Sequence, residues 1–141
     1  MSNNMSAGVS QTTLTYDPLI LHDANLIKAR RLSCDPIRQV GAVLLAGGRC
    51  FLGSNVVSPE IAKFLDWHDR PLVRRVVRHA EVSAILNAVA AGIEKSDFQD
   101  AVLLVTLEPC LDCQSLIQHF GIPHVIFGER YVPSDKKETP A

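Results

Sequence analysis

The apolar run Ala101-Val102-Leu103-Leu104-Val105-Thr106 leads, by way of Leu107 and Glu108, into Pro109-Cys110-Leu111-Asp112-Cys113. A short continuous apolar run of this kind reads as a buried strand. The cysteines then fall where the strand gives way to a helix. Residues three apart share a helix face, so Cys110 and Cys113 in a first turn direct both sulfurs at one point. Open α/β sheets bind ligands at such strand ends. A metal ion suits the point where the sulfurs meet.

Upstream, His79-Ala80-Glu81 supplies what a cysteine pair lacks. Imidazole and thiolate are both zinc ligands, and three protein ligands leave the fourth tetrahedral position for water. His79, Cys110 and Cys113 make three, which implies Zn2+ as cofactor. Glu81 lies two residues beyond the histidine. Beside a water acidified by zinc, a carboxylate takes a proton and delivers it to a leaving group. A structural zinc site would not need one.

With 141 residues, 47% of them apolar and 21% charged, the chain suits one soluble domain with a proper core. A net charge of -1 gives no global basic field for nucleic acid. No apolar run approaches the roughly 18 residues of a membrane span, and no basic-then-apolar leader is present, so a cytoplasmic protein is expected. Four cysteines in that setting point to reduced thiols and to metal or catalysis before disulfides. Cys34 and Cys50 lack a motif and read as ordinary core or surface residues.

Residues 1–15 carry no period and read as a mobile tail, followed by a single domain over 16–132. Asp17-Pro18 looks like a helix cap and first turn, with the helix running to Ser33. Gln39–Leu45 and Arg49–Asn55 form a hairpin about Gly47-Gly48. Ser58–Arg78 contains Lys63, Arg70, Arg74, Arg75 and Arg78 against Glu60, Asp66 and Asp69, a local charge of +2. Arg70, Arg74 and Arg78 recur at a spacing of four and would line one helix face, with Leu72, Val73, Val76 and Val77 on another. A helix opening at His79 and running through Ile93 is apolar on more than one side, which suggests that it faces a partner subunit as well as the sheet. Cys110–Phe120 is the next helix, and Val125-Ile126-Phe127 a strand parallel to the one before it. Residues 133–141 read as a polar tail.

From about Ala29 to Tyr131 the sequence resembles the zinc-dependent cytidine/deoxycytidylate deaminase superfamily. The resemblance rests on His79-Ala80-Glu81 and Thr106-Leu107-Glu108-Pro109-Cys110-x-x-Cys113. Val40-Gly41-Ala42-Val43, Gly53-Ser54-Asn55 and Gly121-Ile122-Pro123-His124-Val125 add to it. It implies an α/β, three-layer fold with a mixed sheet of four to five strands, a β-hairpin then parallel strands, flanked by helices. It also implies hydrolytic removal of an exocyclic amine, with His79, Cys110 and Cys113 on zinc and Glu81 as the proton carrier. Asn55 matches a substrate-contacting asparagine. Ala80 and Arg38 are further substrate-binding candidates, and Arg74 and Arg78 are candidates for a 5′-phosphate, because guanidinium matches phosphate geometry.

The Arg38-x-Val40-Gly41-Ala42-Val43 pattern, the stretch before His79 and the closing Gly121–Tyr131 pattern resemble deoxycytidylate deaminases, so dCMP to dUMP is the expected reaction. Thr106–Cys110 looks more like the tRNA adenosine and guanine deaminase branches, which keeps a purine base, nucleoside or tRNA adenosine as an alternative. The expected partner is a small nucleotide, nucleoside or base, with nucleic acid not favoured, no membrane, and a homo-oligomer as the assembly. Two readings outside the class remain. A Cys-x-x-Cys between strand and helix also fits a redox pair, which leaves His79 and Glu81 unused. A structural zinc module would need a fourth protein ligand.

Overall fold

The computed structural model describes residues 11–132. Five strands form one mixed sheet: β1 (Thr13–Tyr16), β2 (Gly41–Ala46), β3 (Arg49–Ser54), β4 (Val102–Leu107) and β5 (His124–Glu129), in the order β1-β5-β4-β2-β3. The helices are α1 (Ala24–Arg31), α2 (Pro59–Ala62), α3 (Arg70–Val76), α4 (Ala80–Ala90) and α5 (Leu111–Phe120), with 3-10 turns at Pro18–His22 and Lys95–Asp100. The expected hairpin is present. Gly47 and Gly48 both take positive φ, 58° and 71°, which is the conformation that a two-residue hairpin loop demands.

β2 pairs antiparallel with both β3 and β4, while β4, β5 and β1 run parallel to one another. Two glycines show how the layers are laid down. In the β2–β3 register Gly41 faces Ser54 and Ala42 faces Gly53, so Gly41 and Gly53 present opposite faces of the sheet. A Cβ at Gly41 would strike the backbone of Ala29 and Arg30 in α1, and one at Gly53 the backbone of Ala80 and Ala84 in α4. Helices therefore lie closely on both faces, giving three layers. Ala42, Leu44, Leu103, Val105, Ala84, Ile85 and Ile117 form the centre of the core between the sheet and the α4–α5 layer.

Two expectations need correcting. The tail expected through residue 15 gives way to β1 at Thr13. Residues 1–10 and the expected polar tail, 133–141, lie outside the described residues. The strand is short and mostly exposed, so it shows no period. It is held by partners far along the chain: Thr13 N–H donates to Pro123 O at 2.8 Å, Asp17 N–H to Phe127 O at 2.9 Å, and Tyr16 packs on Phe127. The first helix is two pieces, because Asp17 caps the 3-10 turn and Asp23 takes extended backbone to cap α1 anew. In α4, Ala80, Ala84, Ile85 and Ala88 are buried, whereas Leu86 and Val89 are each 45% exposed, so its outer side is open in the single chain.

Candidate metal centre and its pocket

β4 delivers Cys110 to the site. Glu108 N–H donates to Glu129 O at 2.8 Å, extending the β4–β5 ladder up to Pro109, after which Cys110 takes extended backbone as the N-cap of α5. Cys113 sits in the first turn, buried. His79 reaches the same point as the N-cap of α4. The chain just before it is pinned by a two-way bridge, Arg78 N–H to Val56 O at 2.8 Å and Val56 N–H to Arg78 O at 3.0 Å. Two helix N-termini thus converge, and their partial positive charge favours thiolate.

His79 Nδ1 lies 3.3 Å from Cys113 Sγ and 3.6 Å from Cys110 Sγ, and the three ligand atoms all fall within 4.8 Å of one another. Zinc–sulfur bonds near 2.3 Å and zinc–nitrogen bonds near 2.05 Å at a tetrahedral angle give a nitrogen–sulfur edge of about 3.6 Å. The donor set therefore fits zinc in size as well as chemistry. His79 Nε2–H donates to the Arg74 carbonyl at 3.3 Å, which turns Nδ1 to the sulfurs, as a lone pair for a bound metal and as an N–H toward Cys110 without one. The protein atoms alone put one negative charge on the sulfur pair. Hydrogen bonds from Cys113 and His79 pull the Cys110 thiol down to about 3. The shared hydrogen bond with Cys110, reinforced by burial, pushes Cys113 far up. The hydrogen bond with Cys110 lifts His79 to about 9 against the opposing effect of burial.

Glu81 is in the first turn of α4, 4% exposed. Burial raises its pKa, and its own backbone N–H and the charge on His79 offset part of that rise. It shares with His79 and Cys110 a cavity of about 370 Å³, within the roughly 300–1,000 Å³ of small-ligand sites.

Asn55, Ala80, Arg38 and Arg74 line this cavity too. The Asn55 amide is partly committed: Oδ1 accepts Val40 N–H at 2.9 Å and Nδ2 donates to Arg38 O at 2.9 Å. One donor hydrogen and one lone pair remain. Arg38 and Arg74 both stack on Tyr131, at 5.2 and 5.4 Å from the ring centre, and Arg74 Nη2 also donates to the Tyr131 hydroxyl. Arg78 does not join them. α3 stops at Val76 and Val77 is extended, so the helical spacing that would align Arg78 with Arg74 is broken, and Arg78 is exposed outside the cavity.

Sequence reading missed the other polar lining residues Asp35, Glu108 and Gln114, and a role for Tyr131. Asp35 is 2% exposed and takes a two-pronged ion pair from Arg70, Nη2 to Oδ2 at 2.8 Å and Nη1 to Oδ1 at 3.3 Å. A lone aspartate in a loop gives no signal for this. Tyr131 stood in the closing pattern, yet only its spatial place between two arginines marks it out.

An imidazole and two thiols at converging helix N-termini, over one end of a mixed sheet and beside a buried carboxylate, define a metal-binding α/β domain. Residues 17–129 match the family model of the cytidine and deoxycytidylate deaminase zinc-binding region, and the chain belongs to that family. Its metal is zinc, and His79, Cys110 and Cys113 are the group positioned to bind it. Deoxycytidylate deaminases of Enterobacteria phages T2 and T4 are 42% identical to it over 53 residues, 38% of this chain. The chain spans only 27% and 26% of the length of these relatives. The same fold is found in the dCMP deaminase of cyanophage S-TIM5, with a TM-score of 0.58 at 22% identity over 81% of this chain and 86% of that one. That enzyme has also been solved with dCMP and dUMP. The cytidine deaminase of Burkholderia pseudomallei follows, with a TM-score of 0.51 at 23% identity over 72% of this chain and 76% of that one. Among the described residues, no helix is long and apolar enough to cross a membrane.

Proposed function

We propose that the protein is a zinc-dependent hydrolytic deaminase of a cytosine nucleotide, converting dCMP to dUMP with release of ammonia. The observation that carries this reading is the buried Glu81 carboxylate in one cavity with His79 and Cys110 of the His-Cys-Cys group, in a chain of this family. Zinc on His79, Cys110 and Cys113 supplies a water acidic enough to attack at neutral pH. Water adds at the ring carbon bearing the amine, and the amine departs as ammonia. Glu81 accepts one proton from that water and passes it to the neighbouring ring nitrogen, then takes the second from the added hydroxyl and gives it to the departing amine. Its raised pKa suits a group that must both take and return a proton.

Asn55 offers its remaining donor and lone pair to the sugar or the base edge, with Ala80 beside the ring. Arg38 and Arg74, on either side of Tyr131, are the groups we assign to a 5′-phosphate, and the exposed position of Arg78 argues for leaving it out. The reading includes a single domain, with Leu86 and Val89 on the open side of α4 as the contact of a homo-oligomer. Two thiolate ligands and a nucleotide substrate suit the reducing cytoplasm.

The test is ammonia release from cytosine, adenine and guanine compounds, each as base, nucleoside and 5′-monophosphate. dCMP should exceed deoxycytidine by tenfold or more, about 1.4 kcal/mol. Equal rates would remove the phosphate role, and a purine leading the panel would replace cytosine. Glu81→Gln should keep zinc and lose about 10²- to 10⁴-fold in turnover. Unchanged turnover would remove the mechanism.

A further inference from the structure

We propose that the Asp35–Arg70 ion pair acts on the metal centre through α3: it seats this helix so that the Arg74 carbonyl holds His79 in the tautomer that turns Nδ1 toward the cysteines. The inference rests on reading His79 as a zinc ligand and adds two positioning residues to it.

Arg70 opens α3 and Arg74 lies in its last turn. A helix of seven residues is too short to stand by packing-free propensity, so its place is set by what anchors it. Val73 and Val77 bury its apolar side. At its first residue, Arg70 forks onto Asp35 and also donates to Trp67 O at 2.8 Å. Asp35 in turn accepts Ile37 N–H at 2.8 Å and Arg38 N–H at 3.1 Å, so the loop ahead of β2 and the first turn of α3 share one buried carboxylate. Removing one member of such a pair strands the other charge, and the helix start must then move to reach water.

The other end of α3 meets the metal ligand. Carbonyls in a last helical turn lack intrahelical amides. Here Arg78 N–H turns away to Val56 O, and the Arg74 carbonyl accepts His79 Nε2–H instead. An imidazole that donates from Nε2 offers its lone pair from Nδ1, the atom at 3.3 and 3.6 Å from the two sulfurs. The span between the ion pair and that carbonyl is four residues of helix, about 6 Å of rise. Movement at one end reaches the other.

The test uses the full chain and zinc itself, with affinity read by competition against a chromophoric chelator. The His79 Nε2 proton is followed in parallel by imidazole-tuned NMR. Arg70→Gln and Asp35→Asn should weaken zinc about tenfold or more, the scale for losing a partner of a ligating histidine, and speed exchange of that proton. Arg70→Lys should recover part of both. Leu26→Ala, in α1 on the opposite face of the sheet, serves as the stability control. It should lower the melting temperature while leaving zinc affinity within about twofold of wild type, since Leu26 is buried away from the site. The proposal is overturned if the Arg70 and Asp35 variants bind zinc as tightly as wild type, or lose affinity only as the Leu26 variant does. Neither readout needs a substrate. A protein that deaminates nothing yet loses zinc in Arg70→Gln would sink the deaminase reading and keep this one, and an active enzyme with indifferent zinc affinity would do the reverse.

Discussion

The two walls of the cavity are built on different principles. On the metal side, His79 and Glu81 belong to the start of one helix and Cys110 and Cys113 to the start of another, each pair within a single turn. On the opposite side, the polar groups come from scattered segments joined over long sequence separations, 35 residues for Arg70 to Asp35 and 57 for Arg74 to Tyr131. Chemistry is thus written locally, in short patterns that two helix N-termini carry into place. Recognition is assembled by tertiary contact, which leaves it open to change without disturbing the reaction. A hydrogen bond from His79 to the Arg74 carbonyl joins the two sides.

The largest effect that would separate the walls comes from the ligands. His79→Ala or Cys113→Ala should abolish bound zinc and cut turnover by about three orders of magnitude or more, and chelation of the wild type should do the same until zinc is restored. Zinc content by mass spectrometry, measured beside ammonia release, checks the pairing. Turnover that survives in a zinc-free variant would end the assignment of chemistry to the metal side. Arg74→Leu, by contrast, should keep zinc and raise the KM for the monophosphate before it lowers kcat, which is the behaviour of a residue that only binds.

This contrast also explains what the sequence revealed. The run Ala101–Thr106 and the Cys-x-x-Cys after it are contiguous, so a strand of the right length and two sulfurs on one helix face follow from spacing alone. The hairpin was legible because Gly47-Gly48 fixes its turn. β1 was not, since Thr13–Tyr16 owes its strand geometry to Pro123 and Phe127, more than a hundred residues away. The arginine spacing of four misled at Arg78, because a bridge to Val56 and the burial of Val77 end α3 two residues early. Asp35 was invisible for the same reason: its partner is fixed only once the chain has folded.

A smaller effect sharpens the comparison through the backbone. Gly53→Ala and Gly41→Ala each push a methyl into helix backbone, against α4 and α1 respectively. Each should cost about 1–3 kcal/mol of stability, the usual scale of overpacking. α4 carries His79 and Glu81, so Gly53→Ala should also loosen zinc and slow turnover, while Gly41→Ala should unfold at lower denaturant with zinc affinity little changed. Equal loss of zinc in the two variants would mean that the metal side depends on general stability and not on the seat of α4.

A further effect lies within the metal side itself, in the metal-stripped protein. Folded Cys110 sits at about 3 against an ordinary 9.0, and His79 at about 9 against 6.5, each chiefly through hydrogen bonds within the His-Cys-Cys cluster. A depressed thiol means that the unfolded chain holds the extra proton, so between pH 3 and 6.5 stability from Cys110 rises with pH. From 6.5 to 9 the folded state keeps the imidazole proton that the unfolded chain sheds, and the two slopes cancel. Urea unfolding of stripped wild type against stripped Cys110→Ala should therefore give a stability difference that climbs through the acid range and then levels off near neutrality. A difference that is flat, or that falls, from pH 4 to 6.5 would show that Cys113 and the histidine do not hold a thiolate at Cys110 by themselves. The electrostatics of the metal side would then have to come from zinc rather than from the fold.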